Sequence, residues 1–358
     1  MTGRLSLVLG SVLLTLVLLE LGCRLVRGGP DALLRWPNLV LQARIGTDGE
    51  NRERRFTYDA SLGYVQRAGF SSSNIHYDAQ GFRLMPPLAA GNTGANGSPA
   101  AHLPPVLATG DSYTQGDEVA DNETWPAYLQ GLIGRRTINA GVAAYGLDQT
   151  VLRTERLAAE LKPAAIVVGF IADDVRRSEM SRTWGTEKPY FDLKDGKLEL
   201  RNVPVPPSPD PRDTLSLLQW AVGWSVLLDT VLRHQGWQYE WSVDHVRATP
   251  RGTGERIACP LMQRLAALRI PTLVVAQYDF YLWEDPEFAA EQRRISQAVL
   301  RCAREAGLGA LDLYDDTDRA VRERGRNAIY LTWHPSPEGY RLTAEAIAAE
   351  LKRRGIVR

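Results

Sequence analysis

The stretch Val106-Leu107-Ala108-Thr109-Gly110-Asp111-Ser112 decides the fold, because an apolar run there leads into a turn that ends on a nucleophilic side chain. An unbroken apolar run is typical of a strand that is buried on both faces of a parallel sheet. Gly110-Asp111-Ser112 is also ordinary turn chemistry and carries little weight alone. It gains weight from His334-Pro335, near the other end of the chain, because a serine at a strand end and a distant histidine are the halves of a hydrolytic dyad.

The chain beyond residue 105 alternates short apolar runs with amphipathic stretches. The runs that predict buried strands lie at 106–109, 136–140, 164–170, 271–276 and 309–313. The stretches that predict helices lie at 123–134, 148–161, 254–268, 287–306 and 336–353. This order predicts an α/β fold with a five-stranded parallel sheet.

Four sequence blocks follow the segment 110–116 in a fixed order: Asn122–Pro126, Asn139–Gly146, Gly169–Val175 and Thr332–Tyr340. Taken together, these blocks resemble the SGNH/GDSL hydrolase superfamily, in particular its membrane-anchored bacterial branch, over about residues 55–358. The resemblance implies a flavodoxin-like three-layer sandwich and a serine esterase.

The candidate site residues all follow predicted strands. Ser112 ends the first strand, Ala144 follows the second, Asp173 follows the third and His334 follows the last. Ligands of an open parallel sheet bind beyond the carboxyl ends of its strands, so we expect these residues to converge. Ser112 would attack an ester carbonyl while His334 removes its proton. The resemblance implies an oxyanion hole made by Ser112, Ala144 and Asp173. The other histidines, expected at the surface, are His76, His102, His234 and His245.

The acid that orients the histidine in this family usually stands two or three residues before it. Here those positions hold Thr332 and Leu331. Thr332 is the histidine-orienting candidate, and it can offer a hydrogen bond but no charge. The minimum working arrangement is then a Ser112–His334 dyad oriented by a backbone carbonyl. Acids that could replace the missing one follow the fifth predicted strand: Asp315, Asp316 and Asp318.

Two further positions depart from the family pattern. Ala144 stands where the family usually has a glycine, and its N–H survives that exchange unless the position needs a positive φ. Asp173 replaces an asparagine whose amide donates to the oxyanion, and an ionised carboxylate there would repel the developing charge. The alternative for Asp173 is that Asp173-Asp174 caps a helix beginning near Val175. Asp111 and Asp117 are expected to be structural.

The N-terminus predicts a membrane segment. Leu5–Leu19 carries no charge, and the apolar pattern resumes after Glu20, which gives close to the ~20 residues of a spanning helix. The alternatives are a cleaved signal peptide, a lipoprotein signal ending at Cys23, and an uncleaved anchor. We favour the anchor, because no small-x-small cleavage site is present and Glu20 occupies the place of an aliphatic residue before Cys23.

Two indications about the side of the membrane on which the rest of the chain lies oppose each other. Arg24, Arg27 and Arg35 follow the segment, whereas Arg4 precedes it, so the positive-inside rule would place the body in the cytoplasm. The resemblance implies the opposite. We expect a single-pass membrane protein with its body on the periplasmic or extracytoplasmic side. The pair Cys259 and Cys302 permits a disulfide without requiring it.

The expected domains are an anchor at 1–29, a stalk and β-rich cap at 30–103, and a hydrolase-like domain at 104–358 with an insertion at 178–253. The insertion contains a hairpin signal at Asp195-Gly196 and an apolar helix, Leu215–Leu232. Gln219 and Asp229 make a second membrane crossing unfavourable. The insertion either roofs the site or forms a separate small core.

Charge and motif content exclude several functions. Lys plus Arg number 42 and Asp plus Glu number 42, without a basic stripe, so no nucleic-acid partner is expected. No His/Cys cluster has metal spacing and no glycine-rich phosphate loop is present, so neither metal nor cofactor is expected.

The sequence predicts a membrane-tethered serine esterase or acyl-ester transferase that acts on acylated envelope carbohydrate or lipid. The alternative is a catalytically silent protein of this fold that binds acylated glycan or scaffolds an envelope assembly. Protein partners are not predicted.

Overall fold

The computed structural model describes residues 2–45, 55–88, 103–183, 186–207, 215–242 and 252–357. The chain forms two compact units. The helical unit comprises Met1–Glu50, Met180–Glu187 and Pro207–Pro250, and the sheet unit comprises Asn51–Glu179, Lys188–Pro206 and Arg251–Arg358. The predicted insertion is therefore divided between the two units. The expectation that it roofs the site stays a prediction.

The strands are, in chain order, β1 (Phe56–Asp59), β2 (Gly63–Gln66), β3 (Val106–Thr109), β4 (Thr137–Asn139), β5 (Ala165–Phe170), β6 (Arg182–Thr183), β7 (Thr186–Glu187), β8 (Tyr190–Lys194), β9 (Lys197–Arg201), β10 (Thr272–Ala276) and β11 (Gly309–Asp312). The helices are α1 (Thr2–Gly28), α2 (Leu39–Ile45), α3 (Ser112–Gln115), α4 (Trp125–Ile133), α5 (Leu147–Leu161), α6 (Ala172–Arg177), α7 (Leu217–Val222), α8 (Val226–His234), α9 (Gln238–Ser242), α10 (Thr253–Ala267), α11 (Pro286–Glu305), α12 (Tyr314–Arg324), α13 (Arg326–Ile329) and α14 (Pro337–Arg353). Short 3₁₀ turns lie at Pro30–Leu33, Asp121–Glu123 and Phe280–Trp283.

The centre of the sheet unit is a five-stranded sheet in the order β11-β10-β5-β3-β4, and all its strand pairs are parallel. The chain adds β4 on one side of β3 and β5 on the other, so the strand order reverses between β3 and β5. In such sheets the ligand site lies at this reversal, beyond the carboxyl ends of the strands.

Helices cover both faces of the sheet, which explains why its strands are continuously apolar. Leu107 and Ile166 belong to a core shared with α5, α10 and α11, whereas Ala108 and Val167 belong to a core shared with α4 and α14. Successive strand residues point to opposite faces, and here both faces exclude water. The flavodoxin-like three-layer sandwich predicted from the sequence is confirmed.

Two elements of the insertion test the sequence predictions. The hairpin is confirmed: β8 and β9 pair antiparallel around Asp195 and Gly196, both of which have positive φ. The single helix predicted at 215–232 is wrong, because α7 ends at Val222 and α8 begins at Val226. Ser225 accounts for the break, since its hydroxyl accepts a hydrogen bond from the N–H of Leu228 and thereby caps a new helix.

The predicted membrane segment is α1 of the helical unit. An 18-residue window within Arg4–Gly28 has a mean hydropathy of 2.2, and α1 is the one helix in the described chain that is long and apolar enough to cross a membrane. A signal sequence has the same properties.

Candidate active site

Ser112 stands at the first position of α3, directly after β3. Gly110 makes this turn possible, because a Cβ there would overlap the Thr114 hydroxyl and lie 2.6 Å from the carbonyl oxygen of Gly169. The carboxylate of Asp111 caps α3 by accepting from the N–H of Tyr113 at 2.9 Å. The Ser112 hydroxyl makes a long contact of 3.5 Å with Asp111 Oδ2, and the residue is 9% exposed. The turn therefore presents the serine at the carboxyl edge of the sheet.

His334 lies close to the turn that carries Ser112. Interactions of Tyr113 and Asp111, the two residues adjacent to Ser112 in the chain, indicate this position. The ring of Tyr113 lies 5.3 Å from the imidazole of His334, and the Tyr113 hydroxyl donates to the backbone oxygen of Trp333 at 3.0 Å. On the other side of Ser112, burial raises the pKa of Asp111, and a positive charge on His334 opposes this shift. The structure thus places His334 beside Tyr113, the residue that follows Ser112, and the dyad itself stays a prediction.

The imidazole of His334 contacts a carboxylate that the sequence analysis did not single out, that of Glu118. Its Oε2 lies 3.1 Å from Nδ1 of His334 and also accepts from the backbone N–H groups of Trp333 and His334, each at 2.9 Å. Burial acts to raise the pKa of Glu118, but the hydrogen bonds from His334 and Trp333 outweigh it and lower that pKa. The carboxylate is therefore ionised at neutral pH and faces the imidazole.

This contact corrects the expectation of an acid-free dyad. Thr332, the predicted orienting residue, is exposed, and Glu118 takes the place on Nδ1 that Thr332 or a backbone carbonyl was expected to fill. The acid comes from the loop after α3 rather than from the loop of the histidine. The alternative acids, none of which contacts His334 in the described part of the chain, are Asp315, Asp316 and Asp318.

The loop that carries Glu118 is held by Arg83. This arginine is fully buried, and its guanidinium donates to the backbone oxygens of Gly116 at 3.1 Å and Val119 at 2.8 Å. Its Nε donates to Asp121 Oδ1 at 2.5 Å. Glu118 itself has a φ of 69°, a conformation that a residue with a Cβ adopts at a cost. The bonds of Arg83 on both sides of Glu118 hold that conformation.

The oxyanion candidate Ala144 lies in the loop after β4 and has a φ of 63°. The position therefore requires the positive φ that favours the family's glycine, and alanine adopts it at a cost. Among the described residues, no acceptor contacts the backbone N–H of Ser112 or of Ala144, so both can donate to a substrate oxygen. The hairpin β1–β2 fixes this loop: the Tyr64 hydroxyl donates to Ala143 O at 2.9 Å, and the Gln66 amide donates to Gly141 O.

Asp173 and its neighbours form a buried cluster of charges around Arg177. The Arg177 guanidinium contacts Asp173 at 2.9 Å, Asp174 at 2.6 Å and Asp111 at 3.4 Å. Although burial acts in the opposite direction, these carboxylates raise the pKa of Arg177. Asp174 accepts from the N–H of Ile171 and so caps α6 from inside its first turn, and the helix begins at Ala172 rather than near Val175. Asp173 is partly exposed and shares the guanidinium of Arg177 with Asp174 and Asp111.

One more acid lies near the imidazole. Asp279 follows β10 and accepts from the N–H of Tyr281 at 2.9 Å. Burial raises the pKa of Asp279 to about 6, and the charge of Asp173 adds to this shift while that of His334 opposes it. Asp279 therefore changes charge near pH 6.

The remaining predictions concern residues away from this edge. His76 binds Asp121 at 2.6 Å, and His234 is exposed, whereas His102 and His245 lie outside the described residues. Cys259 and Cys302 form a disulfide. Together with Glu305 they are the group in the described chain that is close enough to hold a metal ion, but their sulfurs are bonded to each other. They offer no thiolate ligand in this state.

The sequence profile of the GDSL-like lipase/acylhydrolase family matches residues 108–342, which is more than half of the chain. The chain belongs to this family. It is accordingly an ester hydrolase. The profile describes the family as a whole and does not distinguish the membrane-anchored branch.

Solved structures with a similar arrangement are distant in sequence. The α/β hydrolase enzyme LAE5 from the metagenome of Lake Arreo, Spain, is 15% identical, with 70% of this chain and 96% of that chain covered and a TM-score of 0.45. An acetylxylan esterase from Geobacillus stearothermophilus is 16% identical, with 71% of this chain and 96% of that chain covered and a TM-score of 0.42. No curated protein matches the chain.

Sequence reasoning missed Glu118, Arg177 and Asp279. Glu118 follows Gly116 and Asp117, and its role depends on a turn in which Gly116 has a φ of 86°. No spacing rule connects it to a histidine more than two hundred residues away. Asp117, which was expected to be structural, forms an ion pair with Arg55.

Proposed function

We propose that the chain is a membrane-tethered serine esterase or acyl-ester transferase in which Ser112, His334 and Glu118 are the catalytic groups. The contact of Glu118 with Nδ1 of His334 carries this proposal. It provides the negative partner that makes an imidazole a competent base in serine hydrolases. The proposed substrate is an acylated carbohydrate or lipid of the cell envelope.

The mechanism follows from the two nitrogens of the imidazole. Nδ1–H of His334 donates a hydrogen bond to Glu118, which stays ionised, and this leaves Nε2 to take the proton of the Ser112 hydroxyl. Ser112 Oγ then bonds to the ester carbonyl carbon, and the tetrahedral intermediate collapses as His334 returns the proton to the departing alcohol. Water hydrolyses the resulting acyl-serine, or a second alcohol accepts the acyl group. In both cases His334 removes the proton of the attacking hydroxyl.

Stabilisation of the oxyanion is assigned to the backbone N–H groups of Ser112 and Ala144. Such donors act on the charge as it develops, and each contributes ~3 kcal/mol or more. Asp173 stands where a third donor is expected, and its carboxylate is occupied by Arg177. In our proposal that ion pair keeps the negative charge of Asp173 directed at Arg177 rather than at the substrate.

Aromatic side chains beside His334 support an acylated carbohydrate as substrate. Trp333 is 50% exposed, and its ring meets those of Phe280 at 5.6 Å and Tyr281 at 6.2 Å. An exposed ring held by its neighbours offers a flat apolar surface, on which the C–H face of a sugar or an acyl chain can pack.

Contacts within the helical unit support an uncleaved anchor. Glu20 of α1 is buried, and its carboxylate accepts from the N–H groups of Val226 and Leu227, both at 2.9 Å. A signal peptide cleaved after this position, or a lipoprotein beginning at Cys23, would lose that carboxylate and leave the first turn of α8 without its acceptor. The disulfide between Cys259 and Cys302 supports a body in an oxidising compartment, on the extracytoplasmic side.

A fluorophosphonate probe tests the assignment, because it labels an activated serine without a guess at the substrate. We expect labelling of Ser112 in the wild type and none in Ser112→Ala. For Glu118→Gln we expect turnover of a small activated ester to fall by roughly 10²–10⁴-fold, since the amide cannot stabilise the imidazolium. The matched control is Glu323→Gln, at an exposed glutamate on α12, which should retain wild-type turnover.

Two outcomes would overturn the proposal. Equal labelling of wild type and Ser112→Ala, which includes no labelling of either, would exclude Ser112 as the nucleophile, and no labelling of either would favour the silent binding protein. Wild-type turnover in Glu118→Gln, with labelling of Ser112 intact, would exclude Glu118 as the acid.

A further inference from the structure

Within the helical unit, buried polar groups join α8 to α1. Glu20 accepts from the backbone at the start of α8 and from the Ser225 hydroxyl at 2.8 Å. Arg27, in the last turn of α1, pairs with Asp229 of α8. The side chain of Asp229 therefore lies inside the unit rather than in solvent.

Arg24 completes this buried connection. It donates to Glu20 at 2.7 Å, to Arg35 O at 2.7 Å and to Trp224 O at 2.6 Å. Its guanidinium lies 3.7 Å from the centre of the Trp36 ring, which in turn lies 5.2 Å from the ring of Trp224. Because every strong donor is used inside the unit, the charges of Glu20 and Arg24 are satisfied without water.

The apolar side chains of the same segments face outward. Leu217 is 89% exposed and Trp220 is 72% exposed, whereas Gln219 between them is buried. This is the reverse of a helix that packs in a water-soluble protein. The exposed set, which we call the apolar rim, also includes residues of α1, of the segment after it, of α7 and α8 and of the turns that follow these two helices: Val26, Leu34, Trp36, Leu218, Trp224, Val231 and Trp237.

The apolar rim lies next to the end of the uncharged run of α1, and this position points to lipid as the material that covers it. The uncharged run Leu5–Leu19 rises ~22 Å, less than the ~30 Å of a bilayer's hydrocarbon core. The rim begins where this run ends, because α8 docks at Glu20. Its four tryptophans are the residue type that concentrates at the boundary between hydrocarbon and headgroups.

We propose that the apolar rim lies in the interfacial layer of the bilayer that α1 crosses, so that α7 and α8 form a second contact with the same lipid surface. This inference rests on the proposed anchor. The occupant is lipid: headgroups and the first methylenes of the acyl chains receive the leucines and tryptophans, as with helices that lie in the plane of a membrane. The rim continues the exposed apolar surface of α1 beyond the uncharged run Leu5–Leu19.

Depth-dependent quenching tests this inference on the full-length protein in phosphatidylcholine vesicles. In a Cys23→Ser background, an environment-sensitive fluorophore is attached to Leu217→Cys or Trp220→Cys. Leu13→Cys, in the middle of α1, serves as the control for insertion, and Lys352→Cys, exposed on α14, serves as the control in the sheet unit. Nitroxide lipids carry the quencher near the headgroup or near the end of the acyl chain, and iodide probes exposure to water.

We expect the probes at 217 and 220 to lose most of their fluorescence to the nitroxide near the headgroup and to be protected from iodide. The probe at 13 should respond to the deep nitroxide, and the probe at 352 to iodide alone. Iodide quenching at 217 equal to that at 352 overturns the rim while the probe at 13 still reports the anchor. Protection at 217 from both lipid and water quenchers also overturns it, since protein would then cover the rim. If the probe at 13 is also in water, the anchor fails together with the rim, whereas fluorophosphonate labelling reports the esterase separately.

Discussion

The backbone of Ala144 is held by its neighbours in a conformation that is unfavourable for alanine. Its φ of 63° is one that glycine adopts freely and alanine does not. The loop holds this conformation through the bonds from Tyr64 and Gln66, so the strain persists because other contacts determine it. An alanine at this position keeps the backbone N–H that would donate to the oxyanion. Alanine in place of the family's glycine therefore lowers the free energy of unfolding but leaves this donor in place.

Ala144→Gly should accordingly stabilise the protein by ~1 kcal/mol, because glycine removes the clash of Cβ in the left-handed region. The midpoint of urea unfolding of the full chain in detergent measures this change. Ala143→Gly is the matched control: its φ is not positive, so the substitution should destabilise by ~0.5–1 kcal/mol. A loss of stability in Ala144→Gly similar to that in Ala143→Gly would contradict the strain.

The elements that the sequence predicted well are those fixed by burial alone. The run 164–170 predicted a strand that the structure places at Ala165–Phe170, because continuous apolarity has one explanation in a sheet covered on both faces. The break between α7 and α8 was missed, since the cap at Ser225 outweighs a periodicity that continues through it. Glu118 was missed for a different reason: its role depends on a positive φ and on Arg83, and neither leaves a periodic signal.

The loop between α3 and the 3₁₀ turn at Asp121–Glu123 gives the next prediction. If Arg83 positions Glu118, then Arg83→Lys should lower kcat roughly 10-fold or more with little change in KM, because one ammonium cannot replace the bonds to Gly116, Val119 and Asp121. The effect should largely disappear when Arg83→Lys is combined with Glu118→Gln, since a positioning residue has nothing left to position.

A purely structural role for Arg83 would give a different result. The control is Arg153→Lys, at a buried arginine that donates to Ala140 O and makes no contact with the loop of Glu118. Its effect on kcat should multiply with that of Glu118→Gln. Multiplying effects for Arg83→Lys as well would show that the loss reflects general destabilisation.

For the whole molecule, the proposed anchor implies that the sheet unit lies on one side of a membrane, and two features of the chain bear on which side. The arginines after α1 favour the cytoplasm, whereas the disulfide between α10 and α11 favours an oxidising compartment. We give the disulfide more weight, because the bond is rare in cytosolic proteins and closes a segment of 43 residues. A bond of this kind stabilises a fold by ~2–4 kcal/mol, which the protein would forgo in a reducing compartment.

This argument predicts the reactivity of one thiol in living cells. In a Cys23→Ser background, the disulfide leaves no free sulfur, so a membrane-impermeant maleimide should not label intact spheroplasts. Cys302→Ser releases Cys259, which is partly exposed, and the same reagent should then label the protein without lysis. Cys259→Ser is the matched variant and should label more slowly, because Cys302 is 7% exposed. Labelling of Cys302→Ser only after lysis would place the body in the cytoplasm, and labelling of the parent protein under the same conditions would show that the two cysteines are not joined in the cell.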